Sequence, residues 1–255
     1  MSVPKRIADR IGRGITKFQE VIRVAKDRDV NEADTVTIIK DILAEVFGYD
    51  KFVDLTSEFS VRSTFCDVAI KVENKIEYLL EAKAIGIDLK ENHLRQAVDY
   101  GANNGIQWVL LTNGVMWELH KIKFEQPINH QLVCSFNFLE LDPKNEEHRA
   151  KLFILCKEGV TKDVREDYHE KIETLNRFIL GALITSDEII GMIRREIRKV
   201  SDGVLVDPES IMQVLKNEVI KREVIEGDEA VKAQSRVRRY YSRASRKTQD
   251  ETETP

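Results

Sequence analysis

The chain has 255 residues, with 40 Lys and Arg against 44 Asp and Glu and a formal net charge of −4 at pH 7. That length supports one ample domain with an appended second unit and needs no disulfide or metal to hold it together. With 42% apolar and 33% charged residues it is neither collagen-like nor low-complexity, and no apolar run approaches a membrane span.

The opening Met1-Ser2-Val3-Pro4-Lys5-Arg6 leads into a charged amphipathic stretch, not an apolar segment with a small-residue cleavage site, which predicts a cytoplasmic protein. Residues 4–28 have helical spacing, with Ile7, Ile11, Ile15, Phe18, Val21 and Ile22 on one stripe. A second helix is expected from about Asn31 to Phe47, stopped by Gly48.

From Phe59 to about Lys83 the pattern alternates around a turn at Glu73-Asn74-Lys75, a long β-hairpin. With Asn74 at the centre of the turn, partner residue numbers sum to 148, so Val72 faces Ile76, Ile70 faces Tyr78 and Val68 faces Leu80. The same register sets Asp67 opposite Glu81 on the other face, and Lys83 points the same way two residues on.

A helix over about Lys90 to Gly101 follows, then a strand from Gln107 to Thr112, the hairpin signal Asn113-Gly114 and a returning strand from Val115 to Lys121. Beyond Pro143 helical periodicity returns, with Leu175, Phe178, Ile179 and Leu183 in one segment and Ile189, Ile190, Ile193 and Ile197 in the next. Thr185 and Glu188 have capping-box spacing, and Asp207-Pro208 starts a helix expected to reach Arg222. From Gly227 apolar periodicity is lost and fraying is expected. The expected organisation is an α/β domain over 1–142, a helical unit over 143–226 and a charged tail over 227–255, with the amphipathic stripes after Leu175 offering a route to a homo-oligomer.

Cys66, Cys134 and Cys156 are odd in number and far apart, which suits reduced core thiols better than a disulfide or zinc framework. Two basic groups stand out: Lys5, Arg6, Arg10, Arg13 and Lys17 near the start, and Arg236, Arg238, Arg239, Arg243, Arg246 and Lys247 near the end. Each admits two readings, a solvated face or tail and a contact to phosphates.

Two carboxylates opposed across a hairpin repel, and a divalent cation shared between Asp67 and Glu81 would turn that repulsion into coordination. Oxygen ligands with open positions suit magnesium, with manganese as the alternative. An ammonium at Lys83 on the same face can orient an attacking water or help its deprotonation and stabilise charge developing on phosphorus, which is the logic of metal-assisted phosphodiester hydrolysis.

Cys66-Asp67-Val68 followed by Leu80-Glu81-Ala82-Lys83 resembles the split D…(D/E)-x-K motif of the PD-(D/E)XK nuclease superfamily. Gln96-Ala97-Val98-Asp99-Tyr100 is similar to the Q-x-x-x-Y helix motif of its RecB-like branch, and the i, i+4 spacing is expected to put Gln96 and Tyr100 on one helix face. Leu111-Thr112-Asn113-Gly114 and Trp117 resemble the end of the N-terminal nuclease domain of type I restriction enzyme HsdR subunits, and Glu32 is the best match to the additional acidic residue on that domain's first helix. The helix dipole gives Glu32 an equally good structural reason to stand there.

The resemblance spans residues 28–124. It implies a restriction-endonuclease-like core and a magnesium-dependent endonuclease on DNA that defends against foreign DNA, with Asp67, Glu81 and Lys83 catalytic, Asp67 and Glu81 holding the metal, and Gln96, Tyr100 and Glu32 in support. The chain has no G-x-x-x-x-G-K-[ST] loop, so no ATP-driven motor is expected, which leaves a stand-alone nuclease or a subunit targeted or activated by a protein partner. The alternative is a silent module of the same fold that holds nucleic acid or a protein without cutting.

Overall fold

The computed structural model describes residues 3–61 and 64–252. The chain divides into two compact units, Met1–His169 and Glu170–Pro255.

The first unit is α/β. Helices α1 (Lys5–Asp27) and α2 (Glu32–Glu45) open it, and the caps follow the sequence: Asn31 accepts from the backbone N–H of Asp34 at 3.0 Å, and Gly48 leaves the helical region at φ +83°. The stripe of α1 is buried at Ile7, Ile11, Ile15, Phe18 and Ile22. Strands β1 (Leu55–Val61), β2 (Thr64–Val72) and β3 (Lys75–Ala82), helix α3 (Glu91–Asn104) and strands β4 (Trp108–Thr112), β5 (Met116–Lys123) and β6 (Asn129–Asn137) follow. The strands form one sheet in chain order, antiparallel throughout except for the parallel β3–β4 pair that α3 connects. Two strands go beyond the predicted hairpins: β1 and β6 lie at the sheet edges, where a weaker apolar pattern is enough.

Helices cover both faces. Leu79, Val109, Leu111 and Ile122 pack with Leu94, Ala97 and Val98 of α3. On the other face Tyr78 donates its hydroxyl to the carbonyl of Ile154 at 3.2 Å, and Trp117 meets Phe47 edge-on at 5.5 Å. Helices α4 (Glu146–Phe153) and α5 (Lys157–Val160) belong to this unit, with Leu152 to Cys156 buried, and α6 (Val164–Thr174) carries the boundary. The unit therefore extends past the expected limit at Asp142.

The β2–β3 hairpin departs from its predicted register in an informative way. Glu73 and Asn74 both have positive φ, 52° and 65°, and make a tight two-residue turn that pairs Val72 with Lys75 and Lys71 with Ile76. Partner numbers thus sum to 147 beside the turn. Beyond it Ile70 pairs with Tyr78 and Val68 with Leu80, so Glu77 is the extra residue of a β-bulge and the predicted sum of 148 is restored. An unbroken ladder from this turn would have set Asp67 against Leu80, with the carboxylates of Asp67 and Glu81 on opposite faces.

The second unit is helical, with α7 (Arg177–Ile184), α8 (Asp187–Val200), α9 (Pro208–Val214), α10 (Arg222–Ile225) and α11 (Asp228–Thr252). Asp207 caps α9 by accepting from the N–H of Ser210 at 2.8 Å, but α9 gives way to a π-helical turn at Leu215–Val219 before Arg222. Ser186, not Thr185, is the N-cap of α8, because the Thr185 hydroxyl bonds back to the carbonyl of Gly181 at 2.8 Å. Where fraying was expected, α11 continues the fold: Ala230, Ala233 and Val237 are buried, the last two with Ala182 of α7. Small residues let the two helices approach closely, and alanine is weakly visible in an apolar pattern. Among the described residues no helix is long and apolar enough to cross a membrane.

Candidate active site

The site lies where β2 and β3 part. Their pairing ends at Val68 and Leu80, and one residue further the Asp67 carboxylate accepts the backbone N–H of Ala82 at 2.7 Å. This charge-assisted bond fixes Asp67 at the level of Glu81. Glu81 sits on β3 between β2 and β4, pairs in register with Leu111 and shares its face with Leu79, against α3. It is 8% exposed, one of few buried charged residues.

Lys83 is held just past the strand. Its N–H donates to the carbonyl of Thr112 at 2.9 Å, and its ammonium donates to Oε1 of Glu81 at 2.6 Å and to the carbonyl of Ala82 at 2.7 Å. Glu32, the first residue of α2, stands 3.7 Å from the same ammonium. A strand and a distant helix start thus place two carboxylates on one ammonium, with a third, Asp67, held nearby on the neighbouring strand.

The electrostatics follow from that count. Burial raises the pKa of Glu81, the Lys83 hydrogen bond opposes it, and the charges of Asp67 and Glu32 push it up again, leaving it above the ordinary glutamate value. For Lys83, burial acts to lower the pKa, but Glu81, Glu32 and Asp67 together hold it above that of a free lysine. Lys83 therefore keeps its proton. The neighbouring Cys66 thiol is pushed up to about 12 by burial and by the same carboxylates and is chemically quiet; Cys134 and Cys156 are likewise free and buried.

The pair Asp67 and Glu81 offers oxygen donors of the kind a hard divalent cation takes, and among the described residues no group of three or more His, Cys, Asp or Glu is drawn together as a metal site. Asp67 and Glu81 would hold such a cation, with Glu32 near enough to contribute to the field.

The loop after β3 is anchored by Asn113 and Thr112, which the sequence offered as a turn signal and as part of the family resemblance. Asn113 donates to the carbonyl of Ile87 at 2.8 Å while its side-chain oxygen accepts from Val115 and Met116, and Thr112 receives the N–H of Gly114 at 2.9 Å. Their burial, 6% and 0% exposed, marks them as positioning residues for the Lys83 segment.

Gln96 and Tyr100 lie one turn apart on α3 but differ in burial. Leu94, Ala97, Val98 and Gly101 define the buried side of α3, and its edge falls between the two residues: Tyr100 is buried in the cluster containing Cys66 and Leu79, whereas Gln96 is exposed. A long ring can reach inward from a flank where an amide stays in water. Compared with known proteins, the chain matches no family model, no curated protein and no solved structure.

Proposed function

We propose that the chain is a metal-dependent nuclease of the PD-(D/E)XK type that hydrolyses phosphodiester bonds of DNA. The observation that carries this reading is the contact of Lys83 with Glu81 at 2.6 Å and Glu32 at 3.7 Å beside an Asp67 carboxylate anchored on the Ala82 amide, at the open end of the hairpin. Magnesium or manganese held by Asp67 and Glu81 would supply Lewis acidity toward the phosphodiester.

The chain's own groups do the rest. Lys83, charged and fixed by Glu81 and the carbonyl of Ala82, donates hydrogen bonds to a phosphoryl oxygen and stabilises the charge that builds on it; a lysine with a raised pKa is a poor base. Asp67 is oriented by the Ala82 amide and so presents its carboxylate without reorganisation. The resemblance to HsdR nuclease domains makes restriction of foreign DNA the setting we favour.

The test is cleavage of plasmid, linear duplex and single-stranded DNA with magnesium, manganese or EDTA, beside Glu81→Ala and Lys83→Ala. Metal-dependent cleavage that falls at least about 100-fold in each variant is expected, the scale for removing one group that stabilises developing charge. Parent-like cleavage by the variants, or none by the parent together with no calorimetric magnesium or manganese binding dependent on Asp67 and Glu81, would remove the catalytic assignment.

A further inference from the structure

Helix α11 presents a face that the packing of its own unit leaves unexplained. From Ala230 to Gln249 the sequence carries seven Lys and Arg and no Asp or Glu, in a chain whose net charge is −4. Ala230, Ala233 and Val237 are buried, and Ala233 and Val237 pack with Ala182 of α7. Lys232, Arg236, Arg239 and Arg243 recur at i, i+4, i+7 and i+11, the period of a single helix stripe, and are all exposed on the side turned away from that contact. At about 1.5 Å per residue the stripe is roughly 16 Å long, with a cation every 5–6 Å or so.

Lys232 pairs with Glu229 at 2.8 Å, but Arg236, Arg239 and Arg243 have no ion pair among the described residues. The contrast with the basic run of α1 is informative. There Arg10 makes a two-pronged bond to Glu158 at 2.6 and 2.7 Å and Lys17 meets Glu45 at 2.5 Å, so those cations fasten elements together. Among the described residues, Arg236, Arg239 and Arg243 tie no two elements together.

We propose that this stripe binds the phosphate backbone of a nucleic acid duplex. Arginine forks match phosphate oxygens, and a run of them on one helix side forms a sequence-independent electrostatic contact. Tyr240, 66% exposed beside the stripe, adds an amphipathic ring suited to a sugar or base edge. A lipid surface is disfavoured because membrane-lying helices need a free apolar face, and here α7 occupies it. The choice of nucleic acid among polyanions rests in part on the proposed nuclease activity; the stripe itself does not.

The experiment is fluorescence anisotropy of a labelled 20-base-pair duplex with the full chain in EDTA, so that cleavage plays no part, over 50 to 200 mM salt. The variants are R236Q/R239Q/R243Q and the charge-keeping R236K/R239K/R243K, with circular dichroism to confirm retained helix. Loss of three phosphate contacts should reduce the slope of log affinity against log salt by about 2.7, so that the parent loses about 40-fold more affinity across that range than the glutamine variant. The lysine variant should keep most of the slope. An unchanged slope and affinity in the glutamine variant overturns the proposal, as does binding confined to anionic phosphatidylserine vesicles or to an acidic peptide. Stripe-dependent binding by a parent that cuts nothing would retain this inference and remove the activity; cleavage with stripe-independent binding would do the reverse.

Discussion

Strand β3 carries two glutamates four positions apart that the protein treats in opposite ways. At Glu77, burial works to raise the pKa, but hydrogen bonds from Arg165 and Lys75 and their charges bring it below the ordinary value. Arg165, 5% exposed, bonds both the carboxylate and the backbone carbonyl of Glu77 and lies over the rings of Tyr78 and Trp108 at 4.9 and 5.4 Å. At Glu81, a single ammonium is shared with Glu32, the charge of Asp67 adds to the repulsion, and the pKa stays raised. A satisfied buried carboxylate is a structural fastening, whereas an under-compensated one is held ready for a further positive charge.

The comparison can be broken most directly at Arg165. Replacing it with methionine leaves Glu77 with only the Lys75 contact at 3.0 Å, and should cost about 3 kcal/mol, the low end for unpairing a buried ion pair. For a unit of this size that is a fall of roughly 6–12 °C in thermal denaturation. Lys83→Met should cost about 1 kcal/mol or less, because the exposed end of the hairpin lets Glu81 take up a proton, while cleavage collapses. Equal destabilisation by the two substitutions would erase the distinction.

A finer test uses pH. Glu77, with a lowered folded pKa, stabilises above the unfolded value of 4.5, and that contribution disappears as pH falls through the folded value. Glu81, with a raised folded pKa, has the opposite sign: its favourable contribution is present below 4.5 and is lost as pH rises through the folded value. Glu77→Gln should therefore lower the melting temperature near neutrality and have little effect in acid. Glu81→Gln, which keeps an acceptor for Lys83, should raise it near neutrality and converge with the parent in acid. Melting curves over pH 3 to 7 read both, and parallel pH trends for the two variants would contradict the assignment.

Much of this was legible in the sequence because it depends on local alternation. The apolar face of β2 and β3 and the Asn113-Gly114 turn follow from period two and turn chemistry, whereas the level of Asp67 against Glu81 was reached from a turn centred on Asn74 and is restored in the structure by the bulge. The bulge at Glu77 was not legible, since it trades one turn geometry for another further along the strand. Arg165 reaches Glu77 from 88 positions away, and no local pattern carries that information. Tyr100 lay at the edge of a buried face, where period alone does not decide inside from outside, and α11 packs through alanines that a hydrophobic stripe scarcely registers. Glu32 left two readings open from sequence, and the structure keeps both, with the residue in the first turn of α2 and 3.7 Å from Lys83.

Because the bulge takes up one residue between the turn and the site, the hairpin can change length there without disturbing what lies beyond. Deleting Glu77 would let Ile76 and Tyr78 succeed one another against Lys71 and Ile70, the partners they already have, at the loss of the Arg165 fastening and the Lys75 ion pair. Deletion of any other single residue between Tyr78 and Glu81 would move the glutamate to the opposite face. Descent should therefore leave its gaps at one position of this hairpin, and the interval from aspartate to glutamate along the chain should vary by one while their levels across the sheet do not.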